Sequence, residues 1–394
     1  MQRKHYDAEH EAFGEAFRAF ADKAIVPNYM DWERAGITPR EVFTEAGKSG
    51  FLGMQVPEQY GGGGVDDFRF NQILDEQVAL AGITGSGLGI TLHNDTCLPY
   101  FLTYCNDEQS QRWLPGIVSG ELITAIAMTE PGAGSDLSGI RTSAKLDGNG
   151  GTPGSEGVAA GGTYVVNGSK TFITNGINAD LVVTAVRTGA DKHKGMSLLI
   201  LERGMDGFER GRNLDKLGMH SQDTAELSFT DVRVPVANLL GAEGEGFAQL
   251  VKKLPQERMS IAVSAVAEAQ AAFQNTLRYV QDRKAFGTTI GSFQNTKFVL
   301  AEIATEIDVA QAFIDRCVDR LNDGELDVAD AAKAKWWCTE LQGRVIDRCL
   351  QLHGGYGYMT EYPVSRAYAD ARVTRIYGGT TEIMKGVVSK SLGL

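Results

Sequence analysis

Between Ser292 and Asn322 apolar residues return every three or four positions, at Val299, Ile303, Ile307, Ala310, Ile314, Cys317 and Leu321. That spacing predicts one long helix with a single apolar face, which must be buried against partners of similar length. Asn322-Asp323-Gly324 closes it. Residues 328–352 predict a second long helix that exits through Gly354 and Gly355, where glycine permits a left-handed turn. Residues 247–283 predict a third, with a kink expected at Pro255. Long helices joined in this way form an antiparallel bundle, here from about residue 235 to the C-terminus.

The chain ahead of the bundle divides in two. Up to about residue 120 it reads as helical, over 9–25, 39–49, 65–81, 83–104 and 107–118, with Asp66 or Asp67 expected to cap the third. The middle changes character. Short runs rich in Val, Ile and Leu at 123–128, 164–166, 181–186, 197–201 and 225–229 are separated by Gly, Asn and Asp clusters. These predict strands at spacings suited to a small barrel or sandwich. The Gly-rich stretch 147–162, from Asp147 to Gly162, reads as a flexible loop between two of them. The expected architecture is therefore an α+β multidomain chain: a helical domain over 1–120, a β domain over 121–234 and a helical bundle over 235–394.

Composition narrows the function. The 394 residues carry 38 Lys and Arg against 50 Asp and Glu, a net charge of −12, which argues against a nucleic-acid partner. The 47 glycines are about 12% of the chain against roughly 7% in an average protein, and they cluster, pointing to specialised loops. Cys97, Cys105, Cys317, Cys338 and Cys349 have no C-x-x-C spacing and are odd in number, so reduced thiols are expected rather than a disulfide framework or zinc site. The histidines show no metal-ligand spacing, and no metal is expected. No apolar run is long enough to span a membrane, no signal peptide is visible, and Ser389–Leu394 is not a peroxisomal ending. A cytoplasmic protein is the expectation.

Several familiar devices are missing. There is no G-x-G-x-x-G, no H-E-x-x-H and no G-x-S-x-G. Gly47-Lys48-Ser49 resembles the end of a phosphate-binding loop, but Val42 stands where its first glycine is needed. What remains is a set of glycine-rich and aromatic segments. Met128-Thr129-Glu130-Pro131-Gly132-Ala133-Gly134-Ser135-Asp136 follows a predicted strand; its small residues make either a structural tight turn or a cradle of N–H donors. Lys170-Thr171-Phe172-Ile173-Thr174-Asn175-Gly176 ends another strand. Arg283-Lys284-Ala285-Phe286-Gly287 follows a long helix, and Gln294 comes shortly after. Gln351-Leu352-His353-Gly354-Gly355-Tyr356-Gly357-Tyr358 closes a helix, and Tyr377-Gly378-Gly379-Thr380-Thr381-Glu382 opens the last one, with free N–H groups available to an oxygen-rich ligand.

In their order and combination these segments resemble the acyl-CoA dehydrogenase family over the whole chain. Leu254-Pro255-Gln256-Glu257-Arg258, Gln222-Asp223-Thr224-Ala225-Glu226-Leu227 and Ile376–Lys385 are most similar to its long-chain branch. The resemblance implies an N-terminal α-helical domain, a middle β-barrel domain and a C-terminal four-helix bundle. It also implies FAD, an acyl-CoA substrate, an electron-transferring flavoprotein as acceptor and a homotetramer. The reaction implied is α,β-dehydrogenation: a base removes an α-proton while a hydride leaves the β-carbon for flavin N5.

In the common pattern of that family the base is a Glu directly after the Tyr of the last motif. Here that position is Gly378. The long-chain and isovaleryl branches carry the Glu on an earlier helix, just before an Arg, and this chain has Glu257-Arg258 there. The resemblance thus assigns Glu257 as base and Gly378 as a backbone N–H donor to the thioester carbonyl. It places Met128, Thr129, Gly134, Ser135, Phe172 and Thr174 against the flavin and ribityl. It places Arg283, Phe286, Gln294, Gln351 and Gly355 against the ADP half, from a neighbouring subunit, and Thr380 and Glu382 near the pyrophosphate and adenosine. Ser135, Arg258, Tyr377 and Gly378 border the substrate. The 147–162 stretch looks longer than the family's. Two other readings share these residues: an oxidase that uses O₂ on the same scaffold, and an acyl-CoA-binding protein without activity, which Gly378 alone would favour.

Overall fold

The computed structural model describes residues 3–147 and 162–394. The stretch read as a flexible loop therefore lies, but for its two ends, outside the described residues. The N-terminal domain holds α1 (Ala8–Ala24), α2 (Tyr29–Ala35), α3 (Glu41–Lys48), α4 (Arg69–Ala81), α5 (Thr84–Thr91), α6 (Leu98–Tyr104) and α7 (Asp107–Ser119). Two expectations change here. Phe68, not Asp66 or Asp67, precedes α4, and the Asp67 carboxylate instead accepts from the Arg69 amide and guanidinium. The single helix expected over 83–104 is two, joined by a wide π-turn at Leu92–Cys97.

The middle domain is one seven-stranded curled sheet: β1 (Thr124–Ala127), β2 (Ser143–Leu146), β3 (Thr163–Thr174), β4 (Leu181–Arg187), β5 (Met196–Glu202), β6 (Phe208–Asn213) and β7 (Thr224–Pro235). The order is β1-β4-β2-β3-β7-β6, with β5 also on β4. β4 and β5 are buried almost throughout, as unbroken Val/Leu/Ile runs require. β2 and β6 escaped the sequence reading because one has four residues and the other, Phe208-Glu209-Arg210-Gly211-Arg212-Asn213, is a largely solvated edge strand.

The C-terminal domain is built on α8 (Gly246–Asp282), then a short hairpin of β8 (Lys284–Ala285) and β9 (Thr288–Thr289), α9 (Gln294–Asn322), α10 (Val328–His353), α11 (Pro363–Ala371) and α12 (Thr381–Ser391). The stripe seen in the sequence faces inward: Ile303, Ile307, Ala310, Ile314 and Cys317 are buried, with Val299 and Leu321 packed at its ends. Each fully buried Ile contributes roughly 1.5–3 kcal/mol. α8 runs unbroken through Pro255. Among the described residues no helix is long and apolar enough to cross a membrane.

Candidate active site

The site is assembled on α8. Glu257 lies in its N-terminal third, 5% exposed, and Oε1 accepts a hydrogen bond from the Tyr100 hydroxyl at 2.7 Å. Burial pushes the Glu257 carboxyl up to about 7, against that bond and the charges of Arg258 and Lys253, which favour the ionised form. One turn along, Ile261 meets the glycine turn after Tyr377. Gly378 takes φ 65° and Gly379 φ 99°, and a Cβ on Gly378 would stand 2.3 Å from Ile261 Cδ1. Glu257 and Ile261 share a face of the helix at this spacing, so the carboxylate and the side-chain-free turn are neighbours.

Two buried cations complete this part. Arg258 is 5% exposed, and its Nε has no hydrogen-bond partner among the described residues. Lys335 of α10 is fully buried and donates from Nζ to the Gly379 carbonyl at 2.7 Å. Burial, then the Arg258 charge, bring Lys335 down to about 8. Sequence reasoning missed both Tyr100 and Lys335. The signal for Lys335 was present: it falls at helical spacing among Ala331, Ala334 and Cys338, on the face of α10 that is buried. Tyr100 carried no such signal, because the wide turn sets which way it points.

A second cluster sits at the end of β1. Met128 and Thr129 lead into the loop, where Glu130 and Ala133 close a tight turn. Among the described residues the amides of Gly132, Gly134 and Ser135 have no acceptor within the chain. The loop is pinned from beneath by fully buried Lys170, whose Nζ reaches the Met128 carbonyl at 3.1 Å and Glu130 Oε1 at 2.9 Å. Glu130 also accepts from the Arg141 and Thr142 amides. Two residues on, β3 bulges: Phe172 takes φ 60° and is 67% exposed, with Thr174 ending the strand.

A third cluster lies at the far end of α8. Arg283, Gln351 and Gly355 line one cleft of about 630 Å³, and the Arg283 guanidinium stacks 5.1 Å from the centre of the Tyr356 ring. Phe286 stands beside it, 96% exposed at φ 51°, and exposed Gln294 opens α9. At the start of α12, Thr380 is the N-cap, its hydroxyl accepting from the Ile383 amide, with exposed Glu382 in the first turn.

The residues suit a large planar dinucleotide. The loop offers free amides and small residues, Phe172 offers an aromatic edge, and the Arg283 cleft with Phe286 offers a stacking and charge-pairing surface. Separation matters more. From Glu257 to Asp282, the last residue of α8 before Arg283, the helix rises about 38 Å at 1.5 Å per residue. The Glu257 carboxylate and the Arg283 cleft therefore lie far apart along α8 within one copy of the chain.

A curled sheet thus stands between two helical domains, with a buried carboxylate beside a glycine turn. The chain belongs to the acyl-CoA dehydrogenase family, which is FAD-dependent: the family's N-terminal domain matches residues 7–121, its middle domain 125–232 and its C-terminal domain 244–393. It is 44% identical over 393 residues to the mitochondrial long-chain specific acyl-CoA dehydrogenase of Sus scrofa, covering 99% of this chain and 88% of that one. Among solved structures, an acyl-CoA dehydrogenase of Geobacillus kaustophilus superposes with a TM-score of 0.93 at 46% identity, each chain fully covered. One from Bacillus anthracis, complexed with FAD, superposes at 0.90 and 28% identity, over all of this chain and 69% of that one.

Proposed function

We propose that this protein dehydrogenates the α,β bond of a medium- or long-chain, including branched, acyl-CoA to the trans-2-enoyl-CoA, with Glu257 as the base. The observation that carries the reading is the juxtaposition of a buried carboxyl near pKa 7 with a turn that has no side chain at 378. A base whose pKa lies near the working pH transfers protons efficiently, and a positioned one contributes about 10²–10⁴ in rate. Glu257 takes the α-proton. The Gly378 amide polarises the thioester carbonyl, a kind of contact whose loss costs about 10²–10³. Bound FAD supplies the acceptor for the β-hydride. Met128, Thr129, Gly134, Ser135, Phe172 and Thr174 hold its flavin half, Thr380 and Glu382 flank its pyrophosphate, and Tyr377 and Arg258 wall the substrate. The length of α8 supports supply of Arg283, Phe286, Gln294, Gln351 and Gly355 by a neighbouring copy, within a homotetramer. An electron-transferring flavoprotein is the electron acceptor.

Glu257→Gln tests the base. In the FAD-loaded protein, acyl-CoAs of graded chain length should no longer bleach the flavin, while FAD stays bound. Turnover at the wild-type rate in that variant would sink the assignment. The same chain-length series on the wild type ranks the substrates, and peroxide release during turnover would point to oxygen as the acceptor instead.

A further inference from the structure

The stretch of α8 that carries Glu257 is gripped from one side by the wide turn at Leu92–Cys97 and the helix after it. Such π-turns gather at functional sites. Residues five apart lie on different faces of a regular α-helix, yet Asp95 and Tyr100 both reach α8. Asp95 takes the Gln256 side-chain amide on its carbonyl at 3.1 Å and the Ser260 hydroxyl on its carboxylate at 2.7 Å. Between those anchors the Tyr100 hydroxyl donates to Glu257 Oε1 at 2.7 Å. Tyr100 is fully buried in the core shared with the β domain, so its hydroxyl is fixed by packing as well as by the bond.

We propose that Tyr100 is a positioning residue for the Glu257 base, its hydroxyl orienting the carboxylate and stabilising its charged form. This rests on the reading of Glu257 as the base. A hydrogen bond donated to a carboxylate favours ionisation, and here it works against burial. The other ionisable groups facing Glu257 are Cys97 of the wide turn and Arg258 and Lys253 of α8 itself. One turn on, Ser260 touches Asp95 and Asp75, while Lys335 of α10 faces Arg258. Tyr100 alone among these touches the Glu257 carboxylate. Its loss therefore leaves one buried carboxylate oxygen without a donor.

The test is Tyr100→Phe in the FAD-loaded full-length protein. The acid limb of kcat/KM against pH should move up by about one pH unit, the size expected for a charge-assisted bond. The rate at pH 6.5 then falls about tenfold and returns to near wild type at pH 9, with FAD content unchanged. An unmoved acid limb, or an equal loss at every pH, would overturn the proposal. Should the Phe variant lose FAD, 3-fluorotyrosine at position 100 gives the opposite readout: a more acidic hydroxyl donates more strongly, so the limb should move down, and no movement overturns the proposal as well. Glu257→Gln separates the two readings. If it is active, the base assignment falls; if it is dead while Tyr100→Phe keeps the wild-type profile, only the role of Tyr100 falls.

Discussion

Two buried carboxylates, each beside a cation, behave in opposite ways. Glu130 is 8% exposed and Glu257 5%. Glu130 is saturated: Lys170 at 2.9 Å and two backbone amides hold it, and Lys170 has a carbonyl besides. Burial pushes the Glu130 carboxyl up, but the Lys170 charge and its donors outweigh that and keep it below the usual carboxylate range. Glu257 has one donor, Tyr100, and makes no ion pair with Arg258 among the described residues, whose Nε is itself unpartnered. Burial wins there, and the carboxyl rises to about 7. The same residue types thus make a scaffold where every polar atom is answered and a reactive site where some are left open. The pinned pair underlies the loop that follows Met128; the open pair lies beside the glycine turn at 378.

The sharpest way to break this contrast is to take the scaffold apart. Glu130→Ala strands a fully buried lysine, and losing one partner of a buried pair costs about 3–5 kcal/mol. Denaturant unfolding should register that loss, and FAD should leave the purified protein on dialysis. A variant as stable as wild type with FAD retained would mean the Lys170 pair does not hold the loop. The open site should respond in the other direction. A folded carboxyl at about 7, against an ordinary value of 4.5, binds its proton more tightly than the unfolded chain does. Stability therefore falls as pH rises from about 4.5 to about 7, and the full cost persists above 7. At roughly 1.4 kcal/mol per pH unit, that cost is about 3 kcal/mol. Glu257→Gln removes it, so the variant should be more stable than wild type at pH 8 and equal to it near pH 4.5. Equal melting temperatures at both pH values would show that Glu257 is not held in a desolvated site.

How far the sequence carried the argument follows from the range of each interaction. The bundle was legible because one helix face is a local pattern: Ile303 through Cys317 needed only spacing. The loops were legible as glycine clusters, and Asn175-Gly176 as a turn, with Asn175 at φ 59°. The Gln222-Asp223 segment turns out to tie that turn in place, Asp223 accepting from the Ile177 amide at 2.7 Å. Contacts between distant segments were not legible. Nothing near Tyr100 announces Glu257, 157 positions away. The π-turn that aims it breaks a segment whose composition reads as one helix. The exposed strand β6 lacks the alternation that marks a half-buried one.

The finest probe of the open site is Gly378→Ala. Two causes oppose an alanine there, and they can be separated. One is backbone: at φ 65° an L-residue sits in the left-handed region, at about 1–2 kcal/mol. The other is contact: the new Cβ would stand 2.3 Å from Ile261 Cδ1, the mobile end of its side chain. Ile261→Val removes that atom at about 0.5–1.5 kcal/mol. If contact dominates, Gly378→Ala should be markedly cheaper in the Ile261→Val background, with a coupling of at least about 0.5 kcal/mol. If backbone strain dominates, the two costs add. We expect the two costs to add to within about 0.5 kcal/mol, because an isoleucine end can rotate away whereas the turn cannot relax without moving the Gly379 carbonyl off Lys335. Turnover should follow the backbone part: the 378 amide moves with the turn, so Ile261→Val should recover little of the activity that Gly378→Ala loses.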